Sequence, residues 1–152
     1  MILESTLRQQ LTSPDAGGFH VYAEGWDFTL ATEKKDSLSC ALNELTLGKN
    51  APIKENLRAW ATRIAATATG LMEPLRVIEV DTSLSRAILR SEAPTLKNGK
   101  AFYYELLLTR SARTLATLRR YVGQYGEKRE PVTFVLTHDA IAKLVADIVG
   151  AN

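Results

Sequence analysis

Residues 110–129 hold the densest chemistry in the chain. Arg110, Arg113, Arg119, Arg120, Lys128 and Arg129 carry positive charge there, against Glu127 alone. Tyr121 and Tyr125 lie in the same stretch, with Gly123 and Gly126. Basic side chains interleaved with aromatic ones suit a nucleic-acid strand, because cations replace counterions on phosphates and rings stack on bases. A working platform needs both sets on one face. Side chains alternate along a strand, so Arg119 and Tyr121 are expected to share a face while Arg120 takes the other. The cluster is then split, and the stretch reads as a hairpin with a charged tip. Gly123 and Gly126 are expected in its loop. The aromatic-rich signature of the common four-stranded RNA-binding module is absent.

Acid–base chemistry has fewer candidates. Glu79, Asp81 and Glu92 lie near a predicted hairpin, and Glu105 lies mid-strand between Tyr103 and Leu107. Paired carboxylates do acid–base work when their environments push their pKa values apart. A cross-strand ion pair from Glu105 to a neighbouring arginine is the plainer role, worth under about 1 kcal/mol if exposed. Cys40, His20 and His138 are the only thiol and imidazoles. A Cys–His nucleophile requires the fold to bring them together; Cys40, on an apolar stretch, reads as a small buried hydrophobe. His138 and Asp139 read as a local helix start, where the dipole favours the aspartate and disfavours an imidazolium. Two histidines make no histidine-rich metal site, and Glu24 and Asp27 lack the spacing of a calcium loop. Phosphate-binding glycine loops, the nucleophile elbow and the zinc-protease helix are missing. No metal and no cofactor are expected.

Positioning these residues falls to a predicted α+β chain. Leu3, Leu7 and Leu11 recur at helical spacing in "ILESTLRQQL", before a break at Pro14, Gly17 and Gly18. "FHVYA" and "WDFTLAT" read as strands joined at Gly25, and "LSCALNELTL", whose Leu38, Ala41, Leu42 and Leu45 also fit a helix, as a third. "IKENLRAWATRIAATATGL" forms one apolar stripe (Ile53, Leu57, Trp60, Ala61, Ile64, Ala65, Ala68), a helix stopped at Gly70. "LRVIEV" and "SRAILRS" flank a turn, and "EAPTLKNG" reads as a loop. "AFYYELLLT" is the strongest strand: Phe102, Tyr104, Leu106 and Leu108 point one way; Tyr103, Glu105, Leu107 and Thr109 the other. "RTLATLRRYV", whose Leu115, Leu118 and Val122 with the preceding Ala112 also fit a helical stripe, and "PVTFVL" follow as strands, and "THDAIAKLVADIVG" as a helix capped by Thr137. Residues 1–152 are thus expected to form one domain, a curved antiparallel sheet of about five to seven strands. Its N-terminal, central and C-terminal helices would pack on one face in two layers.

Composition narrows the classes. The chain has 152 residues and a net charge of +2, enough length for a core without staples. Residues 1–50 hold four bases and seven acids, 51–100 eight and five, 101–152 seven and five. No run is a block of like charge. One cysteine forms no internal disulfide, which fits a reducing compartment. The opening "MILESTLRQQLTSPD" lacks the apolar core of a secretory signal, and no stretch approaches the roughly 20 apolar residues of a membrane helix. These features predict a cytoplasmic protein without a membrane.

The helix–strands–helix–strands–helix order is similar to that of the small dimeric chaperones of type III secretion. The likeness is one of element order and covers no motif. That class looks acidic, whereas this chain has a pI near 8.7. The residues themselves lead to a non-enzymatic binding module, expected as a homo-oligomer or bound to a protein partner. Its candidate surface comprises Tyr103, Glu105, Leu107 and Tyr121, rimmed by Arg110, Arg113, Arg119, Arg120, Lys128 and Arg129. A nucleic-acid accessory protein using the 110–129 basics is the second reading. An enzyme with Glu105 or His138 in its site is the third.

Overall fold

A computed structural model describes residues 2–11 and 19–150. The elements are α1 (Ile2–Leu11), β1 (Phe19–Ala23), β2 (Trp26–Lys35), β3 (Ser39–Lys49), α2 (Leu57–Thr67), β4 (Leu75–Asp81), β5 (Arg86–Ser91), β6 (Thr95–Lys97), β7 (Lys100–Arg110), β8 (Thr114–Gly123), β9 (Glu130–Val132), β10 (Phe134–Thr137) and α3 (His138–Val149). The chain is therefore α+β, with its strands in one antiparallel sheet. The expected break at Pro14, Gly17 and Gly18 lies outside the described residues.

The sheet's main path runs β1-β2-β3-β8-β7-β5-β4, with β10 on β3, β6 on β7 and β9 on β8. Ten strands replace the expected five to seven. Seven lie on the main path; of the three short ones, β6 goes unread and β9 and β10 share a stretch that reads as one strand. β6 sits inside what reads as the loop "EAPTLKNG", because three residues are too few to show a period. Its turn to β7 is the Asn98-Gly99 pair, with φ of 52° and 74°. Two positive φ values make the primed turn whose twist matches a hairpin. "PVTFVL" divides in two because it changes partner: β9 pairs with Arg120–Val122 of β8, and β10 with Ser39–Leu42 of β3. β3 and β8 pair only over Leu45–Lys49 and Thr114–Leu118. Beyond Leu45 they part, and residues 130–137 cross the fork.

α2 is shorter than its apolar stripe. Asn56 caps it by accepting from the Ala59 amide at 2.8 Å, so Ile53 lies before the helix, buried in the approaching chain. The helix ends at Thr67, ahead of the expected stop at Gly70. Gly123, expected in a loop, is the last residue of β8 and pairs with Ala101.

Burial alternates as the strand period demands. Tyr104, Leu106 and Leu108 of β7 are buried with Ala116 and Leu118 of β8, Ala87 and Leu89 of β5, and Trp26, Phe28 and Leu30 of β2. They form one hydrophobic cluster with Leu3, Leu7 and Leu11 of α1, Trp60, Ala61 and Ile64 of α2, and Ile141, Leu144, Val145 and Ile148 of α3. α2 touches β4, β5 and β7; α3 touches β3 and β10; α1 touches β1 and α3. The helices are tied to each other by polar bonds. The Trp60 indole N–H donates to the Ile148 carbonyl at 2.9 Å. Arg63 donates to the Asp147 and Ile148 carbonyls and pairs with Glu55, which satisfies the open C-terminal carbonyls of α3.

Candidate functional site

The positions between the core residues form the opposite face of β7 and β8. Antiparallel register aligns them in rows across the strands. One row is Tyr103, Tyr121 and Pro131. The next is Arg76, Arg90, Glu105 and Arg119, closed by Glu44, which accepts from Arg119 at 2.8 and 2.5 Å. The third runs Glu79, Ile88, Leu107, Thr117, Thr46 and Thr29. Tyrosines, a row of alternating charge and an apolar-to-hydroxyl row thus lie side by side.

Glu105 is the centre of the arrangement and is only 8% exposed. One carboxylate oxygen accepts from Arg90 Nε at 2.8 Å and from an Arg129 amino group at 2.5 Å. Burial pushes its carboxyl up, and the hydrogen bonds from Arg129 and Arg90 more than reverse this, so it stays below its ordinary value. The Arg129 guanidinium is in turn raised by Glu105. Arg129 also lies 3.8 Å above the centre of the Tyr121 ring, a cation–π contact. Tyr121 leans on Tyr103, centroid to centroid 6.0 Å. Arg119 is raised by its bond to Glu44. A shallow depression of about 190 Å³ lies over this part of the face, lined by Glu44, Glu105, Leu107, Thr117, Arg119 and Tyr121. A wider one opens at the fork of the sheet beside Asn43, Glu44, Arg119 and Thr133.

Six of the ten residues singled out from the sequence meet here: Tyr103, Glu105, Leu107, Arg119, Tyr121 and Arg129. Arg120 lies on the buried face. Its two amino groups pair with the Glu73 oxygens at 2.9 and 3.1 Å, and its guanidinium sits 4.3 Å from the Tyr104 ring. Ser91 and Thr95 donate to the same carboxylate. Burial would raise Glu73; the bonds from Arg120, Ser91 and Thr95 win and hold it low. Arg110 donates twice to the Ile53 carbonyl, fastening the chain ahead of α2. Arg113 is exposed in the β7–β8 turn, and Lys128 is exposed beyond β8.

The other candidates separate. Cys40 is buried, its thiol pushed up by burial. His20 is exposed on β1 and pairs with Asp27 at 2.6 Å. His138 opens α3, where Thr137 caps by accepting from Ala140 at 3.0 Å and Asp139 pairs with Arg8. Among the described residues no cluster of three or more metal-binding side chains occurs.

Three contributors escape a sequence reading: Glu44, Arg76 and Arg90. Strand alternation in "LRVIEV" and "RAILRS" puts both arginines on polar positions. Their alignment with Glu105 is a matter of register, Arg76 on Arg90 and Arg90 on Glu105, which leaves no mark in the sequence. Glu44 comes from seventy-five positions before Arg119, and only the closure of β3 on β8 joins them.

These features define a class by geometry: an α+β domain presenting a charged, aromatic sheet face. The chain matches no protein-family model, no curated protein and no solved structure.

Proposed function

We propose that this chain is a binding module that docks a protein partner on the sheet face carrying Tyr103, Glu105, Leu107, Arg119 and Tyr121. In this reading α1, α2 and α3 all cover the other face, giving two layers. The shared cluster of helix and strand residues supports that arrangement. The observation that carries the proposal is the immobilised Tyr121–Arg129–Glu105–Arg90 group. Tyrosine and arginine dominate the energetics of protein interfaces. Here the arginines are already held by Glu105 and the tyrosines by each other, so less side-chain entropy is lost on docking.

The same pairing weighs against the nucleic-acid reading. Arg119, Arg120 and Arg129 each face a carboxylate, and Arg110 faces a carbonyl. These four charges are spent within the fold and lie on both faces, which leaves Arg113 and Lys128 as the exposed basic residues of the stretch outside these four. It also weighs against Glu105 as a general acid or base, since its two guanidinium neighbours hold it ionised and depress its basicity.

The test is affinity capture from the host's lysate with nuclease present, comparing the native chain with Leu107→Asp and with Thr62→Asp on α2. A stoichiometric protein retained by the native chain and by Thr62→Asp, but lost with Leu107→Asp, supports the reading. Equal retention by all three overturns it. Recovery of nucleic acid without nuclease, and of nothing with it, transfers the function to the second reading.

A further inference from the structure

The charged row is unbalanced at one end. Arg76 of β4 and Arg90 of β5 are direct register partners on the same face. Like charges directly opposite one another destabilise a sheet. Only one nearby carboxylate, Glu105, answers them, and it bonds to Arg90 and Arg129 together. Arg76 is exposed and forms no ion pair among the described residues. Glu79 and Glu92 flank the two arginines along their strands without forming an ion pair with either. β4 is also the end of the main strand path, so the arginine pair sits at an open margin that an incoming chain reaches without crossing the rest of the face.

We infer that Arg76 and Arg90 form the recognition point for an acidic segment of the partner, whose carboxylates complete the row that Arg76 leaves open. This rests on the proposed docking face and names the chemistry of what docks there. A second copy of the chain fits poorly. The row reads plus, plus, minus, plus, minus from Arg76 to Glu44, and a two-fold axis through its centre sets Glu105 against Glu105 and Arg90 against Arg119, so that only the outer Arg76–Glu44 contacts match, and Glu44 is already taken by Arg119. An acidic peptide instead meets two guanidinium groups at the margin and, beyond them, the Tyr103 ring, 5.9 Å from Arg90. Carboxylate and guanidinium match in a two-bond fork, which gives direction as well as charge.

The experiment measures binding of a fluorescent poly-glutamate peptide to the native chain, to Arg76→Gln/Arg90→Gln, and to the charge-matched Lys54→Gln/Arg58→Gln around the start of α2, outside the charged row. The inference predicts saturable binding that weakens with salt, is lost about tenfold or more in the first variant and is kept in the second. Thermal melting of the single variant Arg76→Gln is the companion measurement. Relief of the arginine–arginine repulsion predicts a melting temperature equal to or above that of the native chain, whereas a structural arginine would lower it. Equal loss of peptide in both double variants means bulk charge alone and overturns the inference. So does tighter binding of a single-stranded oligonucleotide than of poly-glutamate, or light scattering that shows a dimer broken by Arg76→Gln/Arg90→Gln. If the lysate partner is lost with Leu107→Asp but kept by the arginine variant, the docking face stands and this inference alone fails.

Discussion

Glu105 lies on one face of the sheet, and Glu73, in the bend before β4, pairs with Arg120 of the other; each is answered by arginine, and their surroundings give them different roles. Glu73 is 5% exposed and Arg120 7%. Every hydrogen bond around them comes from groups that are themselves fixed, including the Ser91 hydroxyl that accepts from the Tyr104 amide at 2.8 Å. Removing one member of a buried pair strands the other charge. Arg120→Met and Glu73→Gln are each expected to cost about 3–5 kcal/mol in urea unfolding, while the combined Glu73→Met/Arg120→Met variant costs less than either single change. The pH dependence follows from the same depression. Both carboxyls titrate lower in the folded chain than in the unfolded one. Their stabilisation is thus fully present above the unfolded value of about 4.3, and disappears as pH falls through the folded values. Melting temperatures recorded from about pH 6 down to about pH 3 should fall steeply for the native chain and less steeply for Glu73→Gln. An equally steep fall in that variant would remove Glu73 from the account. Of these residues, the sequence displays Glu105 by its place in an otherwise apolar-and-aromatic strand. Glu73 has no such mark. It lies outside any periodic segment, and its importance comes from Arg120 folding over it.

At the scale of elements, legibility follows the length and purity of the pattern. β7 and α3 read correctly because eleven and twelve residues repeat one period with a clear boundary signal. Thr137 is such a signal: its side-chain oxygen takes the Ala140 amide, and Thr137→Ala should lower stability by about 1 kcal/mol in urea unfolding without changing the fold. β3 and β8 were ambiguous between helix and strand, since Leu and Ala serve both periods; the long-range pairing of Leu45–Lys49 with Thr114–Leu118 decides them. β6 and the break between β9 and β10 are illegible. The strands concerned are short, and their existence depends on which neighbour offers free backbone groups. The fork between β3 and β8 is the consequence that matters. It sets Arg119 against Glu44 and opens the wider depression beside Thr133. Leu118 stands where the two strands still meet and is fully buried. Leu118→Ala should cost about 2–5 kcal/mol, measurable by the same unfolding.

For the molecule as a whole, near-neutral net charge hides an ordered arrangement. One acid of residues 1–50 meets a base of residues 101–152, Glu44 with Arg119, whereas Arg8, a base of the first fifty, pairs with Glu4 and with Asp139. The pairing is local and cross-strand rather than the meeting of two charged halves. No helix among the described residues is long and apolar enough to cross a membrane. The central claim concerns which side of the sheet meets a partner. Site-specific photo-crosslinking in the host cell tests it most directly, with a photoreactive amino acid placed at position 117 on the proposed face or at position 62 on α2. The account predicts a discrete protein adduct from position 117 and none from position 62. An adduct from position 62 alone, or none from position 117, would contradict it.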